Sequence, residues 1–291
     1  MTLKNIENIK KIAVVGAGTM GQGIAQVGAL NGYETVLFDV SAVAIEKARN
    51  TIIANLDKSI ALNKLSPIQK ETCLSLLLFS SEIGLVKGDI VIEAILEDLS
   101  IKQQLFITLA AQNEDDTIFA SNTSSIPITQ IASGIAHSQR VVGMHFFNPA
   151  HLMNLVEVIS GAATAESVST CVFELAKKMG KTPIYAQDSP GFVVNRVARH
   201  YYVEALKLME ENIASFETID RQMESLGFKM GPFRLMDLIG VDTNFSVTSS
   251  MYASFHQDAK FRPSRIQQQK VDAGFHGKKT GKGFYEYKES M

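Results

Sequence analysis

The chain has 291 residues, 46% of them hydrophobic and 20% charged, with a formal net charge of −2; this is material for a large core and predicts two domains. No dense basic block interleaved with aromatics occurs, which argues against nucleic acid as a partner. Cys73 and Cys171 stand alone, Met1 to Lys11 carry no signal or transit pattern, and no apolar run reaches membrane-spanning length, so a soluble cytoplasmic protein with no disulfide framework, zinc site or membrane contact is expected.

Taken in chain order, the first element is the β-branched run Lys11 to Val15, followed by Gly16-Ala17-Gly18-Thr19-Met20-Gly21 and a helical pattern at Ile24, Val27, Gly28 and Leu30 that ends at Gly32. Strand, tight turn and helix in that order make a dinucleotide fingerprint: Gly16 permits the turn, Gly18 admits a pyrophosphate to the backbone, and Gly21 lets the helix pack close to the strand. The helix N-terminus, with Thr19 and Met20 in its first turn, offers amide donors and positive dipole to the phosphates. The next strand, Glu34 to Phe38, ends in Asp39, at roughly the 20-residue distance expected of the carboxylate that holds the ribose hydroxyls. Asp39 would repel a 2′-phosphate, so NAD is expected over NADP.

Ala42 to Ala61 has helical spacing at Ile45, Ala48, Ile52 and Leu56, and Ser66-Pro67 reads as the cap and first residue of another helix. Strand-like runs follow at Leu76 to Phe79, Ile90 to Ala94, Ile118 to Ser121, Val141 to His145 and Leu155 to Ile159, with a helix predicted over Leu99 to Gln112. The alternation predicts a largely parallel sheet. Ligands of such sheets bind beyond the carboxyl ends of strands, where Asn122, Thr123, Ser124 and His145 fall; Asn122 is counted with the cofactor-binding residues.

His145 opens His145-Phe146-Phe147-Asn148-Pro149, and Glu157 lies inside the apolar run Leu155-Val156-Glu157-Val158-Ile159. A carboxylate in such a run must find a partner, and a histidine is the side chain poised near neutral pH, so the two read as a general base with the anion that orients it. A purely structural ion pair would satisfy the same residues.

From about Ser189 the character changes. Helices are expected over Gly191 to Ile213, Phe216 to Leu226 and Asp237 to Phe255, with a strand only at Phe284-Tyr285-Glu286-Tyr287. The acid, proline and glycine of Asp188-Ser189-Pro190-Gly191 mark a boundary. The expected architecture is an α/β Rossmann-type dinucleotide-binding domain, residues 1–188, followed by an all-α C-terminal domain, residues 189–291.

Gly16 to Gly21, Ser121-Asn122-Thr123-Ser124-Ser125, His145 to Pro149, Glu157 and Pro190-Gly191-Phe192-Val193-Val194-Asn195-Arg196, read together, strongly resemble the L-3-hydroxyacyl-CoA dehydrogenase family. The likeness continues through Met230-Gly231-Pro232-Phe233, Asp237 to Thr243 and Lys279 to Tyr285, and is strongest to the stand-alone bacterial 3-hydroxybutyryl-CoA dehydrogenases. It implies NAD as cofactor, an acyl-CoA substrate, His145 as general base and Glu157 as its partner. It also implies Ser124 and Asn195 near the reacting oxygen, Glu97 and Lys102 near the nicotinamide and its ribose, no metal, and a homodimer formed through the helical domain.

Blander readings of the same residues stay open. Thr123 and Ser124 could cap a helix beginning near Pro127, Asn195 could be a solvent-facing helical residue, Glu97 a first-turn acid, and Lys102 a solvated side chain. Asp98, Ser100 and Arg234 depart from the family's usual residues, which touches details on the substrate side. Lys47, Arg49, Lys58 and Lys64 are candidates for the CoA nucleotide, and equally for a solvated helix face. Beside the acyl-CoA reading stand oxidation of a free hydroxy acid or sugar acid on the same scaffold, and a non-catalytic structural relative.

Overall fold

The β-branched run Lys11–Val15 forms β1, and the helix after the glycine turn is α1 (Thr19–Leu30). The computed structural model describes residues 4–287, which fall into two compact units divided between Ser189 and Pro190. In the first unit there follow β2 (Glu34–Phe38), α2 (Ala42–Ala61), α3 (Pro67–Ser75), β3 (Leu77–Ser80), β4 (Ile90–Glu93), α4 (Leu99–Gln112) and β5 (Ile118–Ser121). The unit is completed by α5 (Ile128–Ile131), β6 (Val141–Phe146), β7 (Leu155–Ser160), α6 (Glu166–Lys178) and β8 (Thr182–Gln187).

These strands make one sheet of order β3-β2-β1-β4-β5-β6-β7-β8. Neighbours from β3 to β6 are parallel, β6 and β7 are antiparallel, and β7 and β8 are parallel to each other. Strand order reverses between β1 and β4, so their carboxyl ends flank the crevice where such sheets bind ligands. The central strands are buried on both faces: Ile12, Val14, Ile90, Ile92, Ile118 and Val142 are fully shielded, each contributing about 1.5–3 kcal/mol of apolar burial. The helices have the ends their sequences call for. Ser66 and Gln69 form a reciprocal capping box with Pro67 at the start of α3, and Asp98 accepts from the Ile101 amide to cap α4.

Helix α6 and strand β8 extend the α/β pattern beyond the runs recognised in the sequence. The buried stripe of α6 is Val168, Cys171, Val172, Leu175 and Ala176, a spacing that does identify a helix. Strand β8 holds Pro183, which cannot donate to a ladder and weakens a strand reading, but β8 is the sheet's edge, where a proline is tolerated.

The second unit contains α7 (Val194–Glu210), α8 (Phe216–Ser225), α9 (Pro232–Ile239), α10 (Val241–Ser254) and α11 (Arg265–Asp272). Two expectations are corrected here. Asp237 to Phe255 is not one helix: Gly240, at φ +107°, separates α9 from α10, because that backbone conformation cannot continue a right-handed helix. Phe284 to Tyr287 is not a strand and forms only isolated bridges nearby. Two of its amides go instead to the buried Asp237 carboxylate, which accepts from Phe284 N and Tyr285 N at 2.9 Å each and from the Tyr287 hydroxyl at 3.0 Å, while Tyr287 N donates to the Gly281 carbonyl at 2.8 Å. Among the described residues no helix is long and apolar enough to cross a membrane.

Candidate active site

The three fingerprint glycines do three different things. At Gly16 (φ +102°) the chain turns so tightly against the end of β4 that a Cβ would stand 2.6 Å from the Ala94 carbonyl oxygen. A Cβ on Gly21 would stand 1.7 Å from the Gly16 carbonyl oxygen, so α1 approaches the turn as closely as backbone allows. Gly18 is the opposite case, since its φ of −67° suits any residue and a Cβ there would meet nothing within 4 Å. Protein packing therefore does not require Gly18; what its missing side chain keeps clear is the space over the uncapped first turn of α1, where Thr19 is exposed and Met20 half-buried. That fits a phosphate group drawn to helix amides.

Asp39, just past β2, accepts hydrogen bonds from Ala17 N at 2.8 Å and Ser41 N at 2.9 Å, so its carboxylate braces the glycine turn and is held in place by it. It stands at a cavity of about 950 Å³ walled by Gly16, Gly18, Val40, Ile95, Leu96 and Ile101. A mostly apolar slot with one carboxylate, reaching Gly18 at the N-cap of α1, fits an adenine nucleoside with its ribose and pyrophosphate.

His145 and Glu157 face each other directly across the antiparallel pair of β6 and β7. His145 Nδ1 and Glu157 Oε2 are 2.7 Å apart, with the glutamate fully buried and the histidine side chain 7% exposed. Placing the proton on Nδ1 gives the neutral ring one donor toward Glu157 and directs its other nitrogen, Nε2, to act as acceptor. The ring also packs against Phe147, centroids 4.5 Å apart. Asn122, at the end of β5, accepts from Phe146 N at 2.8 Å through its side-chain oxygen. It thereby ties β5 to the residue after His145.

Glu97, Lys102 and Ser124 come together in one network. Glu97 Oε1 accepts from Thr123 Oγ1 at 2.7 Å and from Ser124 N at 2.9 Å, while its Oε2 lies 3.2 Å from Lys102 Nζ. Burial pushes the Glu97 carboxyl upward, but the Lys102 ammonium and the Thr123 and Ser124 hydrogen bonds outweigh it and hold it below the ordinary carboxylate value. Glu97 is thus no mere first-turn acid.

Nor is Lys102 solvated. It is 1% exposed and donates to Glu93 Oε1, on a carboxylate that is itself fully buried. Glu93 is not among the residues expected from the sequence, although it carries the same signal as Glu157, an acid closing an apolar strand. The reading of Thr123 and Ser124 as caps of the helix near Pro127 is also corrected. The first amides of α5, Ile128 N and Thr129 N, donate to the Asp188 carboxylate at 2.8 and 2.7 Å.

Asn195 is the second residue of α7, half-buried, and belongs to the second unit. Lys47, Arg49, Lys58 and Lys64 are exposed on and just after α2. Of these, Arg49 is engaged within the fold, its guanidinium lying 4.4 Å from the Phe79 ring centre and 3.6 Å from Glu46.

The profile of the 3-hydroxyacyl-CoA dehydrogenase NAD-binding domain matches residues 11–189, and that of the 3-hydroxyacyl-CoA dehydrogenase C-terminal domain matches residues 191–287. The chain is 45% identical over 283 residues to a 3-hydroxyadipyl-CoA dehydrogenase of Escherichia coli K12; the match takes in 97% of this chain and spans 60% of that protein's length. It is 41% identical to a probable 3-hydroxybutyryl-CoA dehydrogenase of Bacillus subtilis, covering 97% of this chain and 98% of the relative. The crystal structure of (S)-3-hydroxybutyryl-CoA dehydrogenase from Ralstonia eutropha superposes with a TM-score of 0.93 at 39% identity, covering 97% of this chain and all of that one.

Proposed function

The chain belongs to the 3-hydroxyacyl-CoA dehydrogenase family, and from that footing we propose that it is an NAD-dependent oxidoreductase interconverting (S)-3-hydroxyacyl-CoA, 3-hydroxybutyryl-CoA above all, with 3-ketoacyl-CoA. The observation that carries the reading is the 2.7 Å contact between His145 Nδ1 and the fully buried Glu157 carboxylate, in the same unit as the glycine turn. In oxidation His145 Nε2 takes the proton of the C3 hydroxyl, and Glu157 holds the Nδ1–H and balances the imidazolium that forms. Bound NAD supplies the acceptor for the hydride that leaves the same carbon. Ser124 serves as a donor to the reacting oxygen, polarising the ketone in the reverse direction; Asn195 carries the same assignment from the family likeness.

Gly16, Gly18, Thr19, Met20 and Gly21 are assigned to the pyrophosphate, Asp39 to the adenosine ribose, and Glu97 and Lys102 to the nicotinamide end. Asn122 stays assigned to the cofactor and also braces β6, since its side-chain oxygen accepts from Phe146 N while its amide donors remain for a ligand. We assign substrate binding and self-association to the second unit, where Leu226 (73% exposed), Ile213 (67%) and Leu238 (51%) support a homodimer surface. The buried free thiols of Cys73 and Cys171, both pushed up to about 11 by burial, support the reducing cytoplasm as its compartment.

Initial rates with NADH and either acetoacetyl-CoA or free acetoacetate test this. Binding energy from the remote CoA moiety positions the reacting carbon, so the thioester is expected to be turned over at least ~100-fold more efficiently. Better turnover of the free acid would transfer the assignment to a dehydrogenase of free hydroxy acids.

A further inference from the structure

Five polar residues of the first unit close on one another in a ring, through four side-chain contacts and one backbone amide. Glu93 Oε1 accepts from Lys102 Nζ, and Lys102 Nζ lies 3.2 Å from Glu97 Oε2. Glu97 Oε1 accepts from Thr123 Oγ1 at 2.7 Å; Thr123 N donates to Ser121 Oγ at 3.2 Å; and Ser121 Oγ donates to Glu93 Oε2 at 2.6 Å. The ring ties the end of β4, the first turn of α4 and the turn after β5. Its two inner members are almost wholly withdrawn from water, Glu93 at 0% and Lys102 at 1% side-chain exposure, whereas Glu97 is 38% exposed. Ser124 hangs directly on the outer member, its amide donating to Glu97 Oε1 at 2.9 Å and its hydroxyl at 3.3 Å.

We propose that Glu93 is a positioning residue for the proposed reaction: it anchors Lys102 so that Glu97 stays on the Thr123–Ser125 turn and holds Ser124 in place. The inference rests on the dehydrogenase reading through the role given there to Ser124, and the assignment of Glu97 and Lys102 to the nicotinamide end is why turnover is normalised to the NADH-binding fraction. The physical argument is one of competition for a buried ammonium. With Glu93 present, Lys102 has a fully buried counterion, and the Ile95 amide, donating to Glu93 Oε1 at 2.8 Å, fixes that counterion in turn. Glu97 Oε1 is then left to the turn. In Glu93→Gln the carboxylate left in contact with the ammonium, among the described residues, is Glu97, and a buried cation moves toward its remaining anion. The Glu97 carboxylate is drawn toward Lys102 and away from Thr123 and Ser124, so Ser124 loses the hydrogen bonds that Glu97 accepts from its amide and hydroxyl, while His145 and the glycine turn keep their places.

A double-mutant cycle separates this from a pair that merely glues β4 to α4, because residues acting through one group are non-additive and independent ones add. The variants are Glu93→Gln, Ser124→Ala and both together, assayed with acetoacetyl-CoA and NADH and normalised to the folded, NADH-binding fraction. Glu93→Gln is expected to lower kcat about tenfold in the wild-type background and by less than about twofold on Ser124→Ala. The same factor in both backgrounds overturns the proposal. If Glu93→Gln does not fold, Ser121→Ala takes its place: it removes one donor to Glu93 and no charge, and a loss of about threefold that vanishes on Ser124→Ala is expected, with equal losses again overturning it. Wild-type turnover by Ser124→Ala would sink this inference alone, since the dehydrogenase reading stands on His145 and on the preference for the thioester.

Discussion

At the scale of single residues the decisive question is whether His145 and Glu157 do chemistry or only hold β6 to β7. Burial favours neither, since a desolvated pair is costly to break in both cases. Replacing His145 by Gln keeps a hydrogen-bonding group and removes the proton acceptor, so kcat is expected to fall by ~10² to 10⁴-fold with folding and NAD binding retained. Glu157→Gln keeps an acceptor for Nδ1–H but removes the charge that balances the imidazolium, and should lose activity in the same direction while remaining folded. A structural pair predicts the reverse pattern, instability with full activity per folded molecule. Thermal unfolding, NADH binding and turnover of 3-hydroxybutyryl-CoA on each variant distinguish the two, and normal turnover by folded His145→Gln would remove the central assignment.

The glycine turn between β1 and α1 is a question at the scale of elements, because one short segment serves both the packing of the unit and the proposed cofactor. The two demands fall on different glycines. Gly21→Ala would drive a Cβ to 1.7 Å from a backbone oxygen that cannot move aside, so it is expected to destabilise the protein by several kcal/mol, about the size of other overpacking and backbone-strain effects. Gly18→Ala meets no protein atom within 4 Å. Its stability is expected to be unchanged or about 0.4–1 kcal/mol higher through the less flexible unfolded chain, while NAD affinity falls by about tenfold or more as the methyl occupies the phosphate's approach. Chemical denaturation and nucleotide titration on the two variants check this. A comparable loss of stability in both would show that Gly18 serves packing as well.

For the whole molecule, ligand binding and folding are linked. A nucleotide that binds only the folded protein stabilises it by RT ln(1 + [L]/Kd), about 2.7 kcal/mol at a hundredfold excess over Kd. Asp39, braced by the Ala17 and Ser41 amides, is the carboxylate proposed for the adenosine ribose, and in that role it would repel the added phosphate of NADP. At equal concentrations NAD is therefore expected to raise the unfolding temperature clearly more than NADP does. Equal shifts measured by calorimetry would overturn the ribose assignment of Asp39.

What could be read from the chain is what depends on neighbours in sequence. Turn, helix and Asp39 belong to one strand-helix-strand unit, and Leu99–Gln112 and Ala42–Ala61 carry their own caps and periodicity, so local rules sufficed for them. Glu157 was legible for another reason: an acid inside an apolar strand must be paired, and His145 lay twelve residues upstream, one hairpin away. The burial of Lys102 was not legible, because in the first turn of a helix a lysine reads as solvated until α4 is packed over β4 and β5. The partners that bury it, Glu93 and the Thr123–Ser125 turn through Glu97, come from separate elements. The same holds for Asp188 capping α5 from sixty residues away and for Asp237 gathering the amides of Phe284 and Tyr285. Pairing of buried polar groups is settled by which groups lose their water together, and that is decided only when distant segments of the chain meet.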